Sequence, residues 1–491
     1  MTDDEDFTPP PPRSRFHWLR KLTRWCLVFV AVLALVVVVS RWQVGRVGQR
    51  QLDATTQRLD AEDPGWRLDA ILDDRKKHEP AEQENAAPDV LRLAEDLPKE
   101  FREWQKSDHA PRFWQRNPKN HLPPPDAIEA ARKVGTPMFF VRTEALRLRD
   151  KRAGQFPLAI NNDSLATTLP HLDKSRQILS LLQFDGYLAT VEKNKNPNRG
   201  ISAARAALGV ARAIGNEPLF VSQLVRMAGG KVAAQTAMQV LAWGEPTDGL
   251  AELQAELLAE ADVPWFRIGM RGERAFLDKV FQGLSDGTIT PEQLFRYAGS
   301  QEPGPQHYVA FRTYKALLPG DRAKCLQLCT EYVEASRLPP HEQVAALKTV
   351  VMPAALPDDF RYMITRLLTP ACEKIAEAGL RTRADLLAAA MCVGCERFRL
   401  KHGRFPRDLA ELTPAFLATV PLSPFDGKPI RYRVYPDRVA VYSFWANAPY
   451  KLDNQPDDIR EGDTTGTSFG YRVWNPDKRG LPAMVEEKKD P

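Results

Sequence analysis

The sequence is poor in the residues and motifs that carry much of enzyme chemistry. Six cysteines and eight histidines are spread over 491 residues, and no two histidines form the HxxxH or HExxH pattern that holds zinc on a helix. The chain also lacks a Walker A lysine loop and a Rossmann glycine pattern after a strand. These absences argue against the common zinc-peptidase, nucleotide and dinucleotide sites.

A strong excess of one charge is also missing. Lys plus Arg number 68 and Asp plus Glu number 63, which gives a net charge of +5. The basic residues are interspersed with acidic ones, so no nucleic-acid partner is predicted. With 43% hydrophobic and 27% charged residues, the composition is that of a folded globular protein, in which the 40 prolines should interrupt helices.

Only one long hydrophobic run is present. Residues Trp25 to Ser40 carry no charge, and a helix over 25–42 is just long enough to cross a hydrocarbon core of roughly 30 Å. Tryptophans suit the two membrane interfaces at Trp18, Trp25 and Trp42. The alternatives are a cleaved signal peptide, with Val38 and Ser40 at its cleavage site, and a buried core helix.

The charges that flank this run predict its orientation. Five basic residues precede it and three follow it, namely Arg13, Arg15, Arg20, Lys21 and Arg24 before it, and Arg41, Arg46 and Arg50 after it. This bias favours an N-terminus in the cytoplasm. We therefore expect a single-pass protein of the cytoplasmic (inner) membrane, with the lipid bilayer as one partner and most of the chain outside the cytoplasm.

The hydrophobic pattern predicts a mainly α fold. The predicted regions are a cytoplasmic tail (1–24), a transmembrane helix (25–42), a polar juxtamembrane region with short helices (43–125), an exported helical bundle or array (126–380), a small C-terminal α+β module (381–480) and a loose tail (481–491). Within the module, a helix over 383–401 precedes three runs with strand character at 429–435, 438–445 and 469–474. The turn Pro436-Asp437 joins the first two runs, which predicts a hairpin in an antiparallel sheet.

The cysteines admit several interpretations. Cys26 lies in the membrane segment, Cys372 stands alone, Cys325 and Cys329 share one helical face, and Cys392-x-x-Cys395 has redox-dithiol spacing. The CxxC pair is predicted to lie within a helix, whereas a redox dithiol normally begins one. Buried small hydrophobic residues, disulfides, and a zinc or redox site remain the three alternatives.

Three further groups have the residue types of a catalytic site. His171 stands near Asp173, and a surface or helix-capping role is expected for this histidine. Glu273 lies between Arg271 and Arg274, which favours an ion pair over a catalytic carboxylate. The sequence GTSFG (466–470) matches GxSxG, but no histidine follows it and it leads from a loop into a strand. We therefore assign no catalytic residue and no bound cofactor, apart from the calcium considered below.

The segment HGRFPRDLAELTPAFLATVPLSPFDGKPIRY (402–432) resembles the C-terminal module of the major pseudopilins of type II secretion. The matching positions are Gly403, Phe405, Pro406, Leu409, Leu412, Pro421, Pro424, Phe425, Gly427 and Tyr432. The resemblance covers about residues 383–475 and implies a helix followed by a small sheet. The chain departs from that family because its membrane helix lies far upstream of the module and carries no prepilin-processing signal.

The same resemblance implies a calcium site. Major pseudopilins bind calcium in the loop after the hairpin, where this chain has Asp453, Asp457, Asp458 and Asp463, and Asp458-Ile459 resembles an Asp-Ile pair of that loop. Calcium takes six to eight oxygen ligands, and clustered carboxylates supply them. The alternative is a solvated acidic loop.

A second resemblance covers more of the chain. The segments LDAEDPGWRL (59–68) and RGERAFL (271–277) are similar to segments of large, uncharacterised membrane proteins from planctomycete-type bacteria. From these features we expect a membrane-anchored extracytoplasmic scaffold or interaction protein with an envelope protein partner. The alternatives are a secretion-system accessory subunit with a calcium-binding module, and an exported hydrolase with a site in the helical region.

Overall fold

A computed structural model describes residues 16–114, 119–160, 165, 167–297, 311, 314–350, 360–368, 372–444 and 468–484. The predicted fold class is confirmed: the chain is mainly helical, with one long apolar N-terminal helix and a small antiparallel sheet near the C-terminus. The helices are α1 (Phe16–Glu62), α2 (Leu68–Lys77), α3 (Ala87–Glu95), α4 (Lys99–Gln105), α5 (His109–Trp114), α6 (Pro125–Gly135), α7 (Phe139–Ala145), α8 (Pro170–Val191), α9 (Pro197–Ile214), α10 (Phe220–Trp243), α11 (Leu250–Ala261), α12 (Trp265–Asp286), α13 (Pro291–Tyr297), α14 (Leu318–Ala335), α15 (Pro340–Thr349), α16 (Met363–Leu368) and α17 (Cys372–His402).

Helix α1 continues well past the predicted membrane segment. Its apolar half is long and apolar enough to cross a membrane, and it is not buried against the rest of the chain. No proline interrupts residues 16–62, and the helix ends just before Pro64-Gly65, where Gly65 has a φ of 76°. At 1.5 Å per residue, the 47 residues span roughly 70 Å. The second half of α1 therefore extends beyond its apolar segment and is part of the folded region.

The larger hydrophobic core is built on helices α8, α9 and α10. Helix α9 is rich in alanine, which allows its neighbours to approach closely, and most of its residues are buried. A Cβ on Gly229 of α10 would lie 3.0 Å from the Ala211 side chain of α9. The Gly229-Gly230 pair therefore serves close packing, and α10 runs through it without a break.

The C-terminal sheet packs on helix α17 and shares this core. Strands β1 (Arg431–Val434), β2 (Arg438–Phe444) and β3 (Ser468–Trp474) form an antiparallel sheet in the order β1-β2-β3. The predicted hairpin is confirmed, with Val434 opposite Val439. Val441 and Tyr471 face each other across β2 and β3 and belong to the same hydrophobic cluster as α8–α10.

Helix α17 begins at Cys372, earlier than the predicted 383, and ends at His402 before Gly403, which has a φ of 72°. Its central turns are buried because α10 and α11 pack on the helix from one direction and the sheet packs on it from another. The hydrophobic core consequently continues across residue 381, where the sequence predicts a boundary between regions.

A second core joins helices α12, α14, α16 and the start of α17. A smaller cluster connects this part to α1: Leu52 and Leu59 of α1, together with Trp66, pack against Ala323 and Leu326 of α14. Helix α1 is thereby held to the folded region along several turns beyond its apolar segment.

Candidate functional site

Two neighbouring cavities lie along α1 beyond its apolar half. The larger, about 1090 Å³, is an open groove walled by residues 51–62 of α1, by α14 and by α15; we name it the three-helix groove. The smaller, about 460 Å³, is walled by residues 40–51 of α1, the start of α14 and the short 3-10 helix Phe360–Tyr362; we name it the juxtamembrane cavity. Gln51 lines both cavities, so they follow one another along the same helix.

The three-helix groove combines apolar surface with charges of both signs. Leu59, Ala335, Leu338 and Val350 supply apolar lining. The charged residues occur partly as neighbouring pairs, with Arg58 to Glu62 at 2.8 Å and Arg337 to Glu334 at 3.3 Å; Glu331 also lines the groove. A partly apolar floor with a charged rim is the usual composition of a protein-binding surface.

Two features fix α1 against the folded region beside these cavities. At Gly48, α1 approaches Gly320 so closely that a Cβ on Gly48 would lie 2.8 Å from the Gly320 amide nitrogen. At the far end, Asp63 accepts hydrogen bonds from Arg271 and Arg274 of α12. Burial raises the pKa of Asp63, but the hydrogen bonds from these two arginines outweigh it, and the net pKa is below the usual range.

The pairing of Asp63 corrects the expectation for Glu273. The sequence favoured an ion pair between Glu273 and its neighbours Arg271 and Arg274, yet both arginines turn to Asp63. Glu273 instead accepts a hydrogen bond from the Phe220 backbone amide, and burial raises its pKa to about 7. It lines neither of the two cavities.

Asp63 and its two arginines belong to the segments LDAEDPGWRL (59–68) and RGERAFL (271–277). The structure brings these segments together, and the fully buried Trp66 lies beneath the Arg274 guanidinium at 5.8 Å. Nothing in the sequence indicated that the acid of one segment pairs with the bases of the other.

His171 is buried, which corrects the expected surface or capping role. Its Nε2 lies 3.0 Å from a carboxylate oxygen of Glu217, and its ring lies against Phe156 with centroids 4.6 Å apart. Ser222 donates to the same carboxylate. Because Glu217, and not the histidine, lies between the other two side chains, the group lacks the order of a serine hydrolase triad.

Five cysteines lie outside the predicted membrane segment, and all are buried and form no disulfide: Cys325, Cys329, Cys372, Cys392 and Cys395. Burial raises the pKa of Cys372 and Cys395, which keeps both thiols protonated. Cys392 and Cys395 lie in the middle of α17, as predicted, far from a helix N-terminus that would lower their pKa. This environment is that of small hydrophobic residues.

The predicted calcium ligands Asp453, Asp457, Asp458 and Asp463 lie outside the described residues, so the calcium site stays a prediction. In the parts of the chain that the structure describes, no group of three or more His, Cys, Asp or Glu side chains is arranged to hold a metal ion. Of the GxSxG segment, Ser468 begins strand β3, and Gly466 and Thr467 are likewise outside the described residues.

Asp385 is a buried acid that the sequence gave no reason to expect. Asp385 of α17 is 3% exposed, and its Oδ1 has no hydrogen-bond partner among the described residues. Burial raises its pKa to about 7, partly offset by the charge of Lys231. Its neighbours in the sequence, Arg383 and Leu386, gave no sign that the carboxylate would face the protein interior.

Comparison of the chain with protein-family models, with curated proteins and with solved structures finds no match in any of the three.

Proposed function

We propose that the chain is a membrane-anchored extracytoplasmic scaffold that binds an envelope protein in the three-helix groove. One observation carries this proposal: α1 contains the apolar segment and also forms one wall of the groove. A groove built on the anchor itself is held at a fixed height above the bilayer. Thr55 lies near the middle of the part of α1 that lines the groove. Along the helix it is roughly 20 Å from Ser40, where the apolar run ends.

We infer the orientation from the flanking charges. The N-terminal tail lies in the cytoplasm and the groove lies outside the cytoplasmic membrane, because more basic residues precede the apolar run than follow it. An engineered cysteine tests this directly, since the native cysteines beyond the membrane segment are buried and give little background. Glu252 is exposed on α11, so Glu252→Cys should react with an impermeant maleimide in spheroplasts, while Thr8→Cys should react only after lysis. The reverse pattern contradicts the orientation.

Site-specific photo-crosslinking in native membranes tests the groove. A photoreactive amino acid at Glu331 or Leu338 faces the groove, and the same group at Glu252 is the matched control on an exposed helix away from it. We expect a discrete adduct from the two groove positions and none from the control. Equal adducts from all three positions, or none from the groove, would contradict the proposal.

The identity of the adduct separates the scaffold from the secretion alternative. Recovery of secretion-system or pilus components would favour an accessory subunit, in line with the pseudopilin resemblance, and would make calcium binding by Asp453, Asp457, Asp458 and Asp463 the next measurement. Recovery of other envelope proteins supports the scaffold.

Glu273 favours the hydrolase alternative, because a carboxyl group with a pKa near 7 suits general acid–base catalysis. A panel of ester, peptide and glycoside substrates, tested with the full chain and with Glu273→Gln, addresses it. Hydrolysis that the substitution abolishes without unfolding the protein would replace the scaffold with an enzyme.

A further inference from the structure

The juxtamembrane cavity opens at the depth where lipid headgroups lie. Its wall on α1 starts at Ser40, Gln43 and Val44, where the apolar run ends. Trp42 is 62% exposed, and the Arg46 guanidinium lies over its ring at 5.1 Å from the centroid. An exposed tryptophan with an adjacent arginine is typical of the boundary between hydrocarbon and headgroups, so the lower rim of the cavity lies at this boundary.

The lining of the cavity combines apolar and polar groups. Val44 and Val47, each nearly half exposed, supply apolar surface together with Leu317. Polar groups come from Ser40, Gln43, Gln51, Arg361 and Tyr362. Its volume of about 460 Å³ falls within the range of small-molecule sites. The space suits a headgroup with its glycerol and first acyl carbons, the rest of the chains remaining in the bilayer.

Basic residues lie in the cavity lining and on the neighbouring part of α1. Arg41, Arg46 and Arg50 lie on the same stretch of α1, and Arg361 lines the opposite wall. The carboxylate in the lining, Asp321, is fully buried and turned inward.

The carboxylate oxygens of Asp321 accept hydrogen bonds from the hydroxyls of Tyr314 and Thr365 and from the Ile364 and Thr365 amides. These donors stabilise the Asp321 carboxylate within the protein, and Arg361 is the basic residue of the cavity lining.

The 3-10 helix opposite α1 also carries an exposed aromatic residue, Phe360. Phe360 is 55% exposed and lies edge-on to Tyr314, with ring centroids 5.6 Å apart. It immediately precedes Arg361 on the 3-10 helix Phe360–Tyr362. An exposed aromatic beside a basic residue is the combination that interfacial anchors use, and this one is independent of α1.

We propose that the juxtamembrane cavity binds one anionic glycerophospholipid, whose phosphate is held by Arg361 and whose glycerol region packs on Val44 and Val47. This inference rests on the proposed membrane anchoring. The lipid would fill the gap between the membrane helix and the folded region, and would thereby fix the angle between the groove and the bilayer.

Native mass spectrometry of the detergent-solubilised full chain tests this, with phosphatidylglycerol and phosphatidylcholine as probes. Two variants address the site. Arg361→Gln removes the charge. Gly320→Leu places a large side chain in the cavity, which Gly320 lines. The backbone tolerates the added Cβ, because it would lie at an ordinary contact distance, 3.6 Å from the Gly48 Cα. Their controls are Arg337→Gln, which removes an arginine from the other groove, and Gly320→Ala, which adds only the Cβ.

We expect the wild-type chain and both controls to retain one phosphatidylglycerol in preference to phosphatidylcholine. Loss of a charge-assisted phosphate contact should lower that retention about tenfold in Arg361→Gln, and Gly320→Leu should lose the lipid even with Arg361 intact. Arg361→Lys, which keeps the charge, should recover part of the phosphatidylglycerol retention. Tryptophan fluorescence confirms that each variant is folded.

Equal retention of the two lipids, unchanged retention in both site variants, or displacement of the lipid by millimolar inorganic phosphate would each overturn the proposal. Recovery of a protein bound at this cavity in place of lipid would overturn it as well. Carbonate extraction of membranes distinguishes failure of the lipid site from failure of the membrane anchoring. A chain that stays in the membrane without lipid selectivity refutes only the lipid site, whereas an extracted chain refutes the anchoring.

Discussion

Arg479 and Glu396 form a two-pronged ion pair in the protein interior, with Nη1 to Oε1 at 2.8 Å and Nη2 to Oε2 at 2.7 Å. Both side chains are almost completely buried. Arg479 follows strand β3, and Glu396 lies on α17, so the pair joins the segment after β3 to the helix on which the sheet packs. Arg399 binds the same carboxylate from one turn away.

Arg479→Gln should therefore destabilise the chain markedly, because it leaves Glu396 buried with one of its two cationic partners removed. We expect a loss of roughly 3 kcal/mol in the free energy of unfolding, measured by urea unfolding of the detergent-solubilised protein. The control is Lys478→Gln, whose exposed contact with Asp477 at 3.2 Å should contribute less than about 1 kcal/mol. Equal effects of the two substitutions would contradict a buried ion pair.

The junction between α1 and α12 gives a second prediction, with a defined pH dependence. The pKa of Asp63 is lowered in the folded chain, since its hydrogen bonds from Arg271 and Arg274 outweigh its burial. Its stabilisation is therefore present above the unfolded pKa of about 4 and is lost as the pH falls through the lower folded pKa. Asp63→Asn should cost about 2 kcal/mol at neutral pH and little at the acidic limit.

The matched control for Asp63 is Asp69→Asn. Asp69 also pairs with α12, through Lys279 at 3.0 Å, but its side chain is 81% exposed. A screened surface pair should contribute less than about 1 kcal/mol. If Asp69→Asn costs as much as Asp63→Asn at neutral pH, the stability of the junction does not depend on the buried pair.

The features predicted correctly from the sequence depend on local signals. The end of α17 at Gly403 follows from a residue that adopts positive φ readily, and the hairpin around Pro436-Asp437 follows from alternation on either side of a turn. The Asp63–Arg271 contact joins residues 208 positions apart, and spacing along the chain carries no record of it. The burial of His171 and Asp385 likewise depends on which helices meet, and a single helix gives no sign of that.

Asp385 gives a prediction with the opposite sign of pH dependence. Burial, partly offset by Lys231, raises its folded pKa to about 7, so the unfolded chain ionises at a lower pH than the folded one. Stability should fall as the pH rises from about 4 to about 7 and then level off, at a cost of a few kcal/mol. Asp385→Asn removes the ionisation, so at pH values above 7 the variant should have a higher midpoint temperature of unfolding than the wild type.

Glu252→Gln, at an exposed carboxylate, is the control for Asp385 and should leave the pH profile unchanged. Thermal unfolding of both variants at several pH values between 4 and 8 compares their pH profiles with that of the wild type. A profile for Asp385→Asn that parallels the wild type would show that another group causes the pH dependence.

The close approach of Gly48 to Gly320 tests whether α1 is fixed to the folded region. A Cβ at Gly48 would lie 2.8 Å from the backbone nitrogen of Gly320, which cannot move aside as a flexible side chain would. Gly48→Ala should consequently separate α1 from α14 and cost about 1–3 kcal/mol, and it should weaken groove crosslinking from Glu331. Gly45→Ala is the matched control, because its Cβ would meet the Ala316 carbonyl oxygen at 3.4 Å, an ordinary contact. At that position alanine favours the helix over glycine by up to about 1 kcal/mol, so a gain or no change is expected. Equal losses at the two glycines would contradict the prediction, because they would show that the close approach of Gly48 to Gly320 does not decide the outcome.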